Sequence, residues 1–376
     1  MSAGVATVAI VNWNGRHHLE ACLPSVFALE HPGMDLECVV VDNGSSDGST
    51  AWLAREWPTV RVVAHDENRG FAAGANDAAA AASGDVVAFL NNDCRVAPTW
   101  LVRLVEALRA GGAAAAGSCL LDWDGGRVDF GGAAMNFHGH GSHRGWGRPY
   151  VADPAAPPEP ALFGCGGALA VDRARFLAAG GFDQEYFAYF EDVDLGWRLW
   201  VLGERVLYVP AAVAYHRHRG SGMDPGRWRF LLERNALASC FKNYDDANLD
   251  LVLPAARALL AARGRLAPAS ETGAFGEAER AFDRRLPALR TARAAVQARR
   301  RRPDRDVLPL FREPFRPSAF GRAYWEAQRR AVRAHDLARV FGAAIVDGAE
   351  GLGDFIDELQ GRIEALDARL PEPREG

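Results

Sequence analysis

The sequence predicts an α/β protein: a largely parallel sheet covered by helices on both faces, followed by a mainly helical region. Three observations predict it. Short β-branched runs alternate with segments of helical apolar spacing along the first part of the chain. Each of those runs stops at a polar turn containing Asn, Asp or Gly. After about Pro225 such runs give way to long helical patterns interrupted only by Pro and Gly. Strands separated by helices pair in parallel and need both faces covered. Ligands of such sheets lie outside the carboxyl ends of the strands.

The elements follow in order. Val5 to Val11 (VATVAIV) reads as a buried strand, and Leu19, Cys22, Leu23, Val26 and Phe27 then recur at helical spacing. Leu36 to Val41 is a second strand, ending at Asp42 in a Gly/Ser/Asp loop that leads to a helix near Ala51 to Glu56. Val60 to Ala64 and Asp85 to Leu90 are the third and fourth strands, separated by the alanine-rich helix Ala72 to Ala82. From Gly111 to Pro160 the chain is rich in Gly, Ala and Pro and reads as loops and short edge strands. The stretch ALFGCGGALAVDRARFLAAGGFD returns to strand, helix and a glycine turn. GERVLYVPAAVAYHRHRG, bounded by Gly203 and Gly220, reads as a strand pair. Trp228 to Tyr244, Leu249 to Arg263, Glu277 to Arg302, Ala319 to Val340 and Phe355 to Leu370 are helical, so a boundary is expected near Asp224, with domains over 1–224 and 225–376.

Bulk properties exclude some classes. The chain has 376 residues, 49% hydrophobic and 24% charged, enough apolar material for a large core. A net charge of -5 argues against a bulk nucleic-acid binder. The six cysteines are scattered without a CxxC pair, which favours a reducing compartment, and the start of the chain carries no leader pattern, so a cytoplasmic location is expected. Leu251 to Arg265 and the arginines Arg299 to Arg302 are candidates for peripheral contact with the inner face of the plasma membrane, although a solvated helix end is the default reading of the arginines. The apolar positions of Phe355 to Leu370 suit a homodimer surface.

Several residues carry chemistry. VNWNG puts amides at Asn12 and Asn14 and a flat ring at Trp13 after the first strand; Asp42 after the second can accept from a base N–H. After the fourth strand, Asp93 with Asn91 and Asn92 offers a partial shell for a hard divalent ion. Each such Asp can equally be a turn former or helix cap. In YFEDVDLGWR, Glu191, Asp192 and Asp194 crowd beside Phe187, Phe190 and Trp197, so this charge needs a proton, a cation or solvent. Asp194 with Arg198 reads as a structural pair, whereas Phe187, Tyr189 and Phe190 read either as a sugar-stacking wall or as core. A zinc site at His138, His140 and His143 lacks a thiolate or carboxylate at ligand spacing.

The ordered set VNWNG, VVDNGSSDGS, NRGFAAGAN, FLNNDC, GCGGALAVDRARF, GGFDQEYFAYFEDVDLGWR and AYHRHRG resembles the family 2 glycosyltransferases, most of all their bacterial rhamnosyltransferase-like branch, over residues 5 to 220. The resemblance implies a GT-A fold, a Rossmann-like mixed sheet flanked by helices, and an inverting enzyme that moves a sugar from a nucleotide-diphosphate donor, dTDP- or UDP-linked, to a glycan or lipid-linked acceptor in cell-surface polysaccharide biosynthesis. Val11, Asn12, Trp13, Asp42, Asn68, Gly70, Asn76 and Asn92 would then serve the nucleotide, and Gly166 and Gly167 the donor sugar. Asp93, His216 and Asn91 would hold Mn2+ or Mg2+, Asp192 would be the catalytic base, and Glu191 would position the acceptor or Asp192; His218 has no such assignment. The family's metal triplet has an acid at both ends, whereas this chain reads Asn91-Asn92-Asp93, which should weaken ion binding without nucleotide. Two other classes stand beside this one: a sugar nucleotidyltransferase, for which VNWNGRHH is a poor triphosphate loop, and a non-catalytic glycan- or partner-binding scaffold.

Overall fold

A computed structural model describes residues 4–217, 223–316 and 321–350 of the chain, with side chains to 346. His218 and the helix expected over Phe355 to Leu370, with its dimer surface, lie outside the described residues. The chain divides into two compact units, one of residues 1–134, 141–222 and 299–303 and the other of 135–140, 223–298 and 304–376.

The first unit is built on strands β1 (Gly4–Asn12), β2 (Met34–Asn43), β3 (Arg61–His65), β4 (Val86–Asn91), β5 (Cys94–Val96), β6 (Ala115–Asp122), β7 (Val128–Phe130), β8 (Ala133–Met135), β9 (Gly141–His143), β10 (Glu159–Pro160), β11 (Ala168–Asp172) and β12 (Val206–His216). Ten of them form one sheet in the order β10-β12-β6-β11-β4-β1-β2-β3, with β5 on β12 and β7 on β6. The half containing β3, β2, β1 and β4 is parallel, while β11 runs antiparallel to both β4 and β6. The sheet is therefore mixed.

Helices α1 (Arg16–Phe27), α2 (Ser49–Glu56), α3 (Phe71–Ala81), α4 (Trp100–Gly111), α5 (Arg173–Ala178) and α6 (Glu191–Val201) belong to this unit. The alanines of α3 let its backbone approach β1 closely: a Cβ at Gly74 would stand 2.9 Å from the Val11 side chain. Residues 299–303 end on α6, where Arg302 donates to the carbonyls of Gly203 and Glu204 and lies over the Trp200 ring. Those arginines thus meet the carboxyl end of a helix, where its dipole favours a cation.

Two expectations are corrected here. The stretch taken as loops and edge strands contains a central strand, β6, whose residues Ala115 to Leu121 are buried. Its Ala and Gly residues lack the β-branched signature because the site is too tight for it: a Cβ at Gly117 would lie 2.5 Å from Gly164 Cα. The strand pair over 203–220 is a single strand, β12, whose register with β6 slips between Val209 and Val213. Pro210, which has no N–H for the ladder, sits in that slip.

The second unit is helical, with α7 (Pro225–Asn243), α8 (Asp246–Leu266), α9 (Ala269–Gln297), α10 (Asp304–Val307), α11 (Gly321–Ala334), α12 (Ala338–Phe341) and α13 (Ala343–Glu350). Asp224 and Asp245 cap α7 and α8 through their side chains. Its interior holds an ion pair: Glu233, fully buried, accepts from Arg263, and His140 stands 3.1 Å from the same carboxylate. The Arg263 guanidinium and His140 hold the Glu233 carboxyl well below the usual range, against the effect of burial.

Candidate active site

The carboxyl ends of β1, β2 and β4 bring three groups together. Asn12 closes β1 fully buried, and its Nδ2 reaches Asp42 Oδ2 at 3.2 Å and Ser45 Oγ at 3.3 Å. Its Oδ1 accepts from Asn92 Nδ2 at 2.8 Å. Asn12 therefore links the turn after β2 to the turn after β4, and a Cβ at Gly15 would collide with Asn92. Asp42, 2% exposed, also accepts from Ser45 N–H at 2.9 Å. Trp13 is 49% exposed beside these amides, and Val11 is half-buried behind it.

A second cluster sits one strand out. Asn43, buried, donates to Asn68 Oδ1 and to the Gly70 carbonyl, each at 3.0 Å. Gly70 has φ +83, and a Cβ there would lie 2.5 Å from the Phe187 carbonyl. Asn76 exchanges two hydrogen bonds with the Phe182 main chain, fixing α3 to the segment that precedes α6. Asn68, Gly70 and Asn76 thus brace this loop together, whereas Asn12, Asp42 and Asn92 form the neighbouring network.

Asp93 follows β4 and His216 closes β12, where it pairs with Cys94 in the ladder. Their side chains meet, with Nε2 of His216 3.5 Å from Asp93 Oδ2. Asp93 Oδ1 is buried with no hydrogen-bond partner, the vacancy a cation would satisfy. Among the described residues, Asp93, Cys94 and His216 are the one group of His, Cys, Asp and Glu side chains close enough to hold an ion. Of the three, the Asp93 oxygen and the His216 nitrogen are the harder donors and fit Mn2+ or Mg2+ better than the Cys94 sulfur. Burial disfavours a charged His216, but hydrogen bonds to Asp129 and Asp93 and their charges push it up to about 10. The histidine zinc reading fails: His138 is engaged with Tyr324 at 2.8 Å, His140 with Glu233, and His143 with the Asp129 carbonyl at 3.1 Å.

The acidic motif opens α6. Phe187, Tyr189 and Phe190 all take positive φ (66, 68 and 63°), a strained approach of the kind that gathers at working sites. All three rings are half-buried, between the wall and the core expected of them. Asp192, half-buried, accepts from Gly166 N–H and from Val193 N–H, each at 2.8 Å. Burial raises its carboxyl while those donors oppose the shift. Glu191, 6% exposed, keeps Oε2 without a donor, and burial and the neighbouring Asp192 charge push it well up. Both carboxyls are thus raised, and the two titrate as a pair. Asp194 and Arg198 pair internally at 3.0 Å, and Arg198 also binds the Ala179 and Gly181 carbonyls, locking α6 to the preceding turn.

Gly166 and Gly167 connect Asp192 to the end of β4. Gly167 O accepts from Asn91 N–H at 2.9 Å, and a Cβ on Gly166 would be 3.4 Å from Asp192 Cβ. Three residues escaped the sequence reading. Ser45 and Asn43 lie within a motif whose turn chemistry is generic, and Asp129 lies in a short strand; its one sequence signal is a carboxylate between the apolar Val128 and Phe130.

Known proteins resemble this chain in sequence and in fold. The N-acetylglucosaminyl-diphospho-decaprenol L-rhamnosyltransferase of Mycobacterium tuberculosis is 31% identical over 245 residues, 59% of this chain and 79% of that protein. Rhamnosyltransferase WbbL of Escherichia coli K12 is 36% identical over 92 residues, 22% of this chain and 34% of that one. Among solved structures, GalNAc-T7 with UDP, GalNAc and Mn2+ matches with TM-score 0.55 at 17% identity, over 76% of this chain and 57% of that one. S. aureus TarS 1-349 in complex with UDP-GlcNAc matches with TM-score 0.53 at 13% identity, over 88% and 92%. These likenesses establish the GT-A fold expected from the motifs. No described helix is long and apolar enough to cross a membrane. With the pattern of Glycosyl transferase family 2 matching residues 7–174, the chain belongs to that family and is a nucleotide-sugar-dependent glycosyltransferase.

Proposed function

We propose that the chain transfers a sugar, rhamnose from dTDP-rhamnose in the leading case, with inversion onto a hydroxyl of a lipid-linked glycan during polysaccharide assembly. The single observation that carries the reading is the junction at Gly166–Gly167, which ties the Asp192 carboxylate to the strand leading to Asp93. Inverting displacement needs a base on one side of the reacting carbon and charge stabilisation for the leaving diphosphate on the other. Asp192 takes the acceptor proton as the hydroxyl attacks, and Glu191, neutral beside it, donates a hydrogen bond to the acceptor. Asp42 reads the base edge, Trp13 supplies a stacking face, and Asn12, with Asn92, sets the position of Asp42. Asn68, Gly70 and Asn76 shape the loop along the nucleotide. Gly166 and Gly167 give the donor sugar room against the main chain.

Asp93 and His216 fit Mn2+ or Mg2+, a reading supported by the unsatisfied Asp93 Oδ1, and Asn91 is the third ligand of the proposal. When bound, such an ion neutralises the charge that develops on the leaving diphosphate. The name of the mycobacterial relative supports rhamnose and a polyprenyl-diphosphate acceptor, and the Mn2+ in the GalNAc-T7 structure supports the ion. A lipid-linked acceptor would bring the chain to a membrane face.

The test uses the full chain with Mn2+, a donor panel including dTDP-rhamnose and UDP-hexoses, and a polyprenyl-diphosphate-N-acetylglucosamine acceptor. Expected are release of nucleotide diphosphate and a product of inverted anomeric configuration by NMR. In Asp93→Ala, donor binding should lose its dependence on Mn2+. A retained configuration, or silence across the whole panel, overturns the reading.

A further inference from the structure

Asp129 is a buried carboxylate, 2% exposed, that no step above uses. Its Oδ2 lies 2.7 Å from Nδ1 of His216, and its main-chain carbonyl faces His143 Nδ1 at 3.1 Å. The backbone around it is irregular in a telling way. Leu120 and Leu121 of β6 oppose Phe130 and Val128 of β7, so Asp129 is the extra residue of a bulge. Bulges re-aim a side chain, and they are common beside active sites. Here the residue concerned sends a charged group towards the end of β12, which also pairs with β6.

The chemistry of the contact is directional. A carboxylate can only accept, so the ring nitrogen facing Asp129 must carry a proton. That leaves the opposite nitrogen, Nε2, as the one facing Asp93. A histidine that ligates an ion needs one nitrogen free of its proton, and a carboxylate on the other nitrogen fixes both tautomer and ring plane.

We propose that Asp129 is a positioning residue of the transfer site: through Nδ1 it orients His216 so that Nε2 and Asp93 together receive the divalent ion of the nucleotide diphosphate. The proposal rests on the metal reading given under Proposed function. Asp129 acts only through His216 and touches neither ion nor substrate. This role explains why a short strand breaks its ladder to bury an acid, which an ordinary edge strand has no reason to do.

The test is a double-mutant cycle on Mn2+ affinity, measured by Mn2+ electron spin resonance on the full chain with saturating UDP, and again with dTDP. Asp129→Asn keeps the volume and removes the charge; Mn2+ binding should weaken about 10- to 100-fold. His216→Ala should weaken it comparably, and the double variant should be no weaker than His216→Ala alone. A purely structural Asp129 would give losses that multiply, and that outcome overturns the proposal, as does wild-type affinity in Asp129→Asn. Should Asp129→Asn not fold, 15N-histidine spectra of the wild-type chain with Mg2+ and UDP added decide: a His216 proton kept on Nδ1 while Nε2 loses its own supports the proposal, and a proton kept on Nε2 overturns it. A wild-type chain that takes up no Mn2+ with either nucleotide overturns the metal reading and this inference together, whereas normal wild-type uptake with indifferent variants overturns this inference alone.

Discussion

Gly166 holds Asp192: its main-chain N–H donates to Oδ2 at 2.8 Å, and a Cβ on that glycine would sit in van der Waals contact with the aspartate. The contact is local to one loop, yet the next residue of that loop is hydrogen-bonded to Asn91 at the end of β4. A carboxylate on the N-terminus of α6 is thereby linked to the strand that leads to Asp93.

Replacing the base while keeping its shape isolates its proton chemistry. Asp192→Asn should leave nucleotide affinity near wild type and lower turnover by about a hundredfold or more, ~2.7 kcal/mol in the barrier. Because burial raises the Asp192 carboxyl, wild-type turnover should fall with acidification at a higher pH than an ordinary aspartate would give. Steady-state rates and nucleotide titration check both, and undiminished turnover removes Asp192 from the mechanism.

Glu191 leads to a stability prediction with a definite sign. Its folded-state carboxyl is raised, so the native chain binds that proton more tightly than the unfolded chain does. The associated stability is complete below about pH 4 and is lost as pH rises through the folded-state value. Glu191→Gln removes this titration. Its melting temperature should match wild type near pH 4 and exceed it increasingly towards neutrality, measured by thermal denaturation without ligand; a constant difference across pH would contradict the assignment.

Asp42 and nucleobase choice are linked by the donors around its carboxylate. With Asn12 Nδ2 and Ser45 N–H already directed at it, a base N–H has a preset acceptor. Asp42→Ala should narrow the affinity differences among UDP, dTDP, GDP and ADP, as competition binding would record. Equal discrimination in the variant and the parent would exclude Asp42 from base reading.

The buried pair of the helical unit gives a test away from catalysis. Removing Glu233 strands the Arg263 guanidinium, 5% exposed, in a dry interior. Glu233→Ala should cost about 3–5 kcal/mol at neutral pH in denaturant titration. Since the Glu233 carboxyl is depressed, its contribution is present above the unfolded carboxyl range and disappears as pH falls, so the gap to wild type should close in acid.

The four strands of the parallel half were legible in the sequence because each is a β-branched run ending at a polar turn, and local spacing is sufficient there. β6 was not, because its Ala and Gly residues answer to the approach of Gly164, a neighbour 47 positions away in the chain. Asp42, Asp93, Glu191, Asp192 and His216 stood out by type and motif order. Ser45 and Asp129 did not, and the contacts of Ser45 and Asn92 with Asn12, and of Asp129 with His216, form only once the sheet is assembled. The sequence by itself determined the family, the alternation of elements and the chemical types at the strand ends, since these are written in nearest neighbours. Tertiary structure alone decided which carboxyls are raised by burial, which imidazole nitrogen faces Asp129 and which faces Asp93, and which arginines are tied to carbonyls. Burial and hydrogen-bond partners set those properties, and both come from residues distant in the chain.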